Sequence, residues 1–204
     1  MGDEKFWKQD IIAEEALLSM AGSGDIILFT GKHFGARVTR SVTQSNWDHV
    51  AMIVKFEGEE DDITFIEATG AGVGFNDWTT LKKYRDRLYS KVVYRKLYVE
   101  RDNEMLDGLE KFVNEAYGKK YALNATKLLS KKSIPVTGGA TIAEDRTFFC
   151  SELVAKAYKC MGILPDDKAS SNYYPNWFSS EKKLPLLKDA VLGPELIVYD
   201  KNQK

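Results

Sequence analysis

Residues 147–162, TFFCSELVAKAYKCMG, decide how this chain is read. Phe149, Leu153, Val154, Ala157, Tyr158 and Met161 recur at spacings of three and four, which turns one face of a helix toward a core. Gly162 and Pro165 stop that helix. Thr147 is placed to cap its start, which puts Cys150 in the first turn. There the unpaired N–H groups and the positive end of the helix dipole favour a thiolate. Cys160 falls at the far end, about 15 Å along the axis, where the dipole has the opposite sign. That separation exceeds the roughly 7 Å limit for a disulfide, so both thiols are expected free, as in a reducing compartment. On helix position alone, a small buried apolar residue is the stronger reading of Cys150.

Before this helix the chain alternates short apolar runs with turns. Ile26–Phe29, Asp48–Phe56, Ile63–Ala68 and Lys91–Val99 read as strands, and Leu196–Tyr199 as a closing edge strand. EGEEDD (57–62) supplies a hairpin turn, and TGAGVG (69–74) reads as a turn because Phe75 stands where a dinucleotide fingerprint needs glycine. Residues 4–20 and 103–117 carry helical periodicity, the first within an N-terminal helical segment over 1–22. Residues 127–146, rich in Lys, Ser, Thr and Gly, read as a long loop or lid. Strands first and helices later give an α+β layer fold, expected as one domain over 1–204.

Composition narrows the function. Hydrophobic residues make up 44% and charged residues 29%, the profile of a globular domain. With 29 Lys+Arg against 30 Asp+Glu, no basic excess points to nucleic acid. The longest apolar run, Val50–Val54, is too short for a membrane-spanning helix. The start MGDEKFWKQD lacks the apolar stretch of a secretory signal, so a cytoplasmic location is expected. Two cysteines and two histidines cannot assemble a zinc-ribbon pattern, and no metal or other cofactor is expected.

A cysteine nucleophile needs a base within hydrogen-bond reach and a group to orient that base. His49 opens the strand HVAMIV, and His33, in the loop-like GKHFGAR, is the competing base. With Gly58 at the apex of the hairpin, His49 falls directly opposite Glu67, Ala51 opposite Phe65 and Ile53 opposite Ile63. Directly opposite residues share a sheet face, so Glu67 could hold the imidazole. A slip of one residue would send Glu67 to the other face. Local geometry thus makes a triad possible without making it compelling.

GDIILF (24–29), NWDHVAMIV (46–54), FIEATGAGV (65–73), YGKKYAL (117–123) and FFCSELVAKAYKCMGI (148–163) occur in that order. This series resembles the circularly permuted, YiiX-like branch of the NlpC-type papain-like cysteine hydrolases. The resemblance implies a permuted papain-like fold, with an antiparallel barrel-like sheet packed against the helix that carries the cysteine. It implies Cys150 as nucleophile, His49 as base and Glu67 as the orienting group. Tyr121, in YGKKY, matches a recurrent tyrosine that lines the pocket or aids the oxyanion site. Asp48 and Ser151 join it as expected substrate-binding neighbours, and the Cys150 N–H as an oxyanion donor.

The activity this implies is a thiol peptidase or amidase acting on a small peptide or amide. FCSEL stands where related lipid acyltransferases carry Asn-Cys-Glu-His, which ranks a lipid acyltransferase or phospholipase second. A non-catalytic binding module of the same fold is the remaining alternative. The aromatic segment SNYYPNWF (171–178) is expected to pack over the domain or rim its pocket.

Overall fold

The strands are β1 (Ile11–Ala13), β2 (Ile26–Gly31), β3 (His49–Ile53), β4 (Thr64–Thr69), β5 (Gly72–Asp77), β6 (Tyr89–Arg95), β7 (Leu97–Tyr98), β8 (Val191–Leu192) and β9 (Leu196–Tyr199). The helices are α1 (Glu14–Met20), α2 (Phe34–Thr43), α3 (Trp78–Leu88), α4 (Asn103–Ala116) and α5 (Ala140–Cys160). This computed structural model describes residues 10–56, 62–117 and 140–199. Seven strands form one sheet in the order β1-β9-β6-β2-β3-β4-β5, and β7 pairs with β8 apart from it. Among the described strands only the β1–β9 pair is parallel; every other neighbour is antiparallel. β1 and β5 are the two edges, so the described strands form an open sheet instead of the barrel-like one expected.

β2 reads IILF, without polar alternation, because both its faces are covered. Ile26 and Leu28 join a cluster with Val50, Met52 and Ile66 and with Leu153, Val154, Ala157 and Tyr158 of α5. Ile27 and Phe29 join a second cluster with Leu17, Ala51, Ile53, Phe65 and Trp78. The period of two along each strand sorts its residues between these two cores.

Buried polar groups fix how the layers meet. Asp25, fully buried, accepts hydrogen bonds from the Gly22 N–H, the Tyr94 hydroxyl, the Leu97 N–H and the Arg101 guanidinium. Arg95 donates to the carbonyls of Phe178, Leu192 and Gly193, tying β6 to the C-terminal segment. The Tyr158 hydroxyl donates to the Gly24 carbonyl at 2.8 Å and so links α5 to the segment leading into β2. α4 crosses α5 at Gly108, where an added Cβ would lie 2.3 Å from the Cys160 carbonyl oxygen.

Several expectations are corrected. The N-terminal helix begins only at Glu14: residues 11–13 are β1, because they find parallel partners on β9, and 1–9 lie outside the described residues. GKHFGAR is not a loop; α2 starts at Phe34 with His33 as its cap. The turn at TGAGVG is confined to residues 70–71, since Gly72 already begins β5. One long strand over Lys91–Val99 is instead β6 and β7, which pair with different partners. α5 begins at Ala140, so residues 140–146 are helix, not lid loop, and the rest of that segment lies outside the described residues. Thr147 therefore does not cap α5, and Cys150 sits in its interior. SNYYPNWF does pack on the domain: Tyr173 and Phe178 are buried in the α5-side core and Trp177 lies against it.

Two substitutions test this frame. Asp25→Ala strands four donors, two of them buried and two part-buried, and is expected to cost about 3–5 kcal/mol in urea denaturation. Gly108→Ala, which on an open helix would stabilise by about 1 kcal/mol, is expected to destabilise by about 1–3 kcal/mol. A neutral or stabilising result would mean that α4 and α5 are not in backbone contact.

Candidate active site

The antiparallel pairing of β3 with β2 and β4 brings His49 and Glu67 together. Phe29 pairs with His49 across β2 and β3, while Met52 pairs with Ile66 and Ile53 with Phe65 across β3 and β4. Continued along the strands, that register sets Ala51, and not His49, opposite Glu67. The directly opposite placement is therefore corrected by two residues. A shift of two keeps the side-chain parity, so both residues stay on one face as diagonal neighbours. The link is made: His49 Nε2 lies 2.5 Å from Glu67 Oε2. Both side chains are largely shielded, with 14% and 13% of their surface exposed.

Glu67 has a further partner that the sequence reading missed. The Asn76 amide donates to Glu67 Oε1 at 3.3 Å, and Asn76 lies on the edge strand β5. Glu67 itself pairs with Gly74, so Asn76 reaches it diagonally from two residues along. The signal was available only through the β4–β5 pairing, which reading TGAGVG as a turn concealed.

The second partner of the His49 ring is the Cys150 thiol. With Nε2 engaged by Glu67, Nδ1 is the nitrogen left for sulfur. Burial works against charge on His49, yet the negative charges and hydrogen bonds of Cys150 and Glu67 outweigh it. The imidazole is held well above its ordinary value of 6.5. Burial likewise pushes the Glu67 carboxyl up, but the hydrogen bond and charge of His49, with Asn76 adding, hold it below the ordinary 4.5. The arrangement favours the charged, imidazolium form of His49 against the Glu67 carboxylate.

Cys150 is buried in the core cluster that α5 shares with the sheet. In the interior of a helix its N–H belongs to the i to i−4 ladder. The first-turn dipole argument and the expected oxyanion donor therefore have no basis in this structure. Cys160 differs in kind: partial burial pushes its thiol up, and Glu115 and Asp166 push the same way.

The remaining candidates fall around this centre. Asp48, next to His49, accepts from the Gly31 N–H at 2.8 Å and from the Arg40 guanidinium at 2.5 Å. Arg40 also donates to the Gly31 carbonyl, which closes the mouth of β2 and β3. The Ser151 hydroxyl donates to the Tyr173 carbonyl at 2.6 Å and anchors the aromatic segment. His33 is exposed, and its Nδ1 accepts from the Ala36 N–H as the cap of α2. Tyr121 lies outside the described residues. Among the described residues, no group of three or more His, Cys, Asp or Glu side chains could hold a metal ion.

The family model described as permuted papain-like amidase enzyme, YaeF/YiiX, C92 family, matches residues 21–183. No curated protein sequence gives a significant match. Among solved structures, the crystal structure of the metalloprotein yiiX from Escherichia coli O157:H7 is similar over 89% of this chain and 98% of that one, with 18% identity and a TM-score of 0.46. The family match runs from the segment before β2, through both hairpins, to beyond α5 and the aromatic segment. This chain belongs to the permuted papain-like amidases of the YaeF/YiiX family.

Proposed function

We propose that the chain is a cysteine amidase that cleaves an amide bond in a small peptide-like substrate. The observation that carries this reading is one imidazole shared between a cysteine thiol and a shielded carboxylate. That is the pairing a thiol nucleophile needs to react near neutral pH. In this reading Cys150 is the nucleophile, His49 the base and then the acid, and Glu67 the group that orients and charges the ring. Asn76 and the Asp48–Arg40 pair act on position: the first holds Glu67, the second fixes the strand mouth beside His49.

The chemistry runs in two halves. The Cys150 sulfur attacks the carbonyl carbon, the C–N bond breaks, and the imidazolium gives its proton to the leaving amine. A thioester remains on Cys150. Water then attacks its carbonyl while His49 Nδ1 takes the water proton. The carboxylic acid leaves, and the thiol–imidazole pair is restored. The family description supports amide chemistry, and the missing Asn-Cys-Glu-His signature counts against acyl transfer between lipids.

Two experiments test this reading. Cys150→Ser is expected to lower amine release from a peptide library by about a thousandfold or more, whereas Cys160→Ser leaves it nearly unchanged. Acyl exchange on phospholipids without amine release would transfer the chain to the acyltransferase reading. Equal activity in Cys150→Ser and wild type would remove the thiol from the mechanism.

The second experiment follows the sign of the titrations. A raised His49 contributes stability that is complete below pH 6.5 and fades as pH rises through its folded value. A lowered Glu67 contributes stability that is complete above pH 4.5 and fades as pH falls through its folded value. The ion pair thus spans neutral pH. By NMR, the His49 ring is expected to titrate well above 6.5 in wild type, with its midpoint falling in Glu67→Gln. An unmoved midpoint would take Glu67 out of the charge pair.

A further inference from the structure

At the corner where α2 and α3 meet the sheet, exposed apolar groups stand among cations. Phe34 is 80% exposed, the most open large hydrophobic residue among those described, with Tyr84 at 42% and Leu88 at 40%. Tyr84, Arg87 and Leu88 share one face of α3 by their spacing of three and four, as Phe34 and Arg37 do at the start of α2. Lys32 joins the two segments: its backbone N–H donates to the Leu88 carbonyl at 2.8 Å. The Lys32 ammonium donates to the Asp86 carbonyl, and the Arg87 guanidinium lies 5.7 Å from the centre of the Tyr84 ring.

The charge here is one-sided. KHFGAR (32–37) and KYRDRL (83–88) hold five Lys or Arg and a single acid, Asp86, in a chain whose formal charge is -1. The corner also lies close to the candidate site. Tyr89, next to Leu88, has its ring 4.7 Å from that of Phe29, whose ring in turn is 5.3 Å from that of His49.

We infer that this corner docks the protein on an anionic lipid bilayer. Phe34 enters the headgroup region while Lys32, Arg37 and Arg87 meet lipid phosphates. An isolated, open aromatic ring flanked by cations fits an interface that is apolar within and negative at its surface. An acidic protein surface would satisfy the cations and leave the Phe34 ring in water. Docked in this way, the sheet end that carries His49 stands beside the lipid surface. The inference does not rest on the amidase reading, since it needs no chemistry at Cys150.

The test is sedimentation of the full chain with phosphatidylcholine vesicles, with and without phosphatidylglycerol. Wild type and Cys150→Ser are both expected to sediment with the anionic vesicles, to be released by salt, and to stay in solution with pure phosphatidylcholine. Phe34→Ser is expected to weaken the partition about tenfold, and Arg37→Glu about fivefold or more, with unchanged urea midpoints for both. Wild type that stays in solution with the anionic vesicles overturns the inference. So does sedimentation that neither Phe34→Ser nor Arg37→Glu reduces, which would place the contact elsewhere on the protein.

Discussion

The buried carboxylate of Asp25 is the constraint on which the sheet and its helix depend. Burial pushes this group up toward its neutral form, and its hydrogen bonds with Tyr94, Leu97 and Gly22, together with the charge of Arg101, oppose that rise. A charge this far from water persists only where nearly every lone pair has a donor. Those donors come from the loop before β2, from β6, from the start of β7 and from beyond it. One residue thereby sets the central strand against its neighbour. Gly24, just before it, has φ +91, a backbone conformation that strains any L side chain, and an added Cβ would press on the side-chain ends of Leu97 and Met161 at 2.9 Å. Its carbonyl is also the acceptor for Tyr158. The helix that carries Cys150 is therefore referenced to the strand that carries Phe29, the pairing partner of His49.

Sequence could reach what depends on period and could not reach what depends on distant partners. The two-residue alternation put His49 and Glu67 on one face, and a register error of two left that conclusion standing because parity repeats every two residues. An error of one would have destroyed it. β1 escaped notice because three residues, IIA, become a strand only through parallel pairing with β9, at the other end of the chain. α2 escaped for another reason. Gly35, Val38, Thr39, Val42 and Thr43 are poor helix formers, so its FGARVTRSVT carries little local preference. It is held by the burial of Ala36 and Thr39, by the His33 cap and by the reach of Arg40 back to Gly31 and Asp48.

Asn76 shows how a missed element hides a partner of a candidate site residue. Read as part of a glycine-rich turn, its strand offered nothing to Glu67. Paired in register with β4, the same strand puts an amide donor on the carboxylate that faces His49. Gly74, opposite Glu67, has nothing within 4 Å of an added Cβ. The glutamate thus has a supporting amide to one side and open space directly across from it.

The position of Cys150 changes which physical effect must activate the thiol. At a helix N-terminus, unpaired N–H groups and the dipole would share that work with the base. In the interior of α5 those donors are committed to the helix, and the dipole effect is confined to the end turns. In the proposed chemistry that work passes to the imidazole, whose charge is supported first by Cys150 and then by Glu67. The 2.5 Å contact between His49 and Glu67 then has to do more than orient a ring. Together with Cys150, it opposes a burial that favours the neutral form of that ring. A polar but uncharged residue in place of Glu67 could fix the tautomer yet would leave that opposition to Cys150 alone.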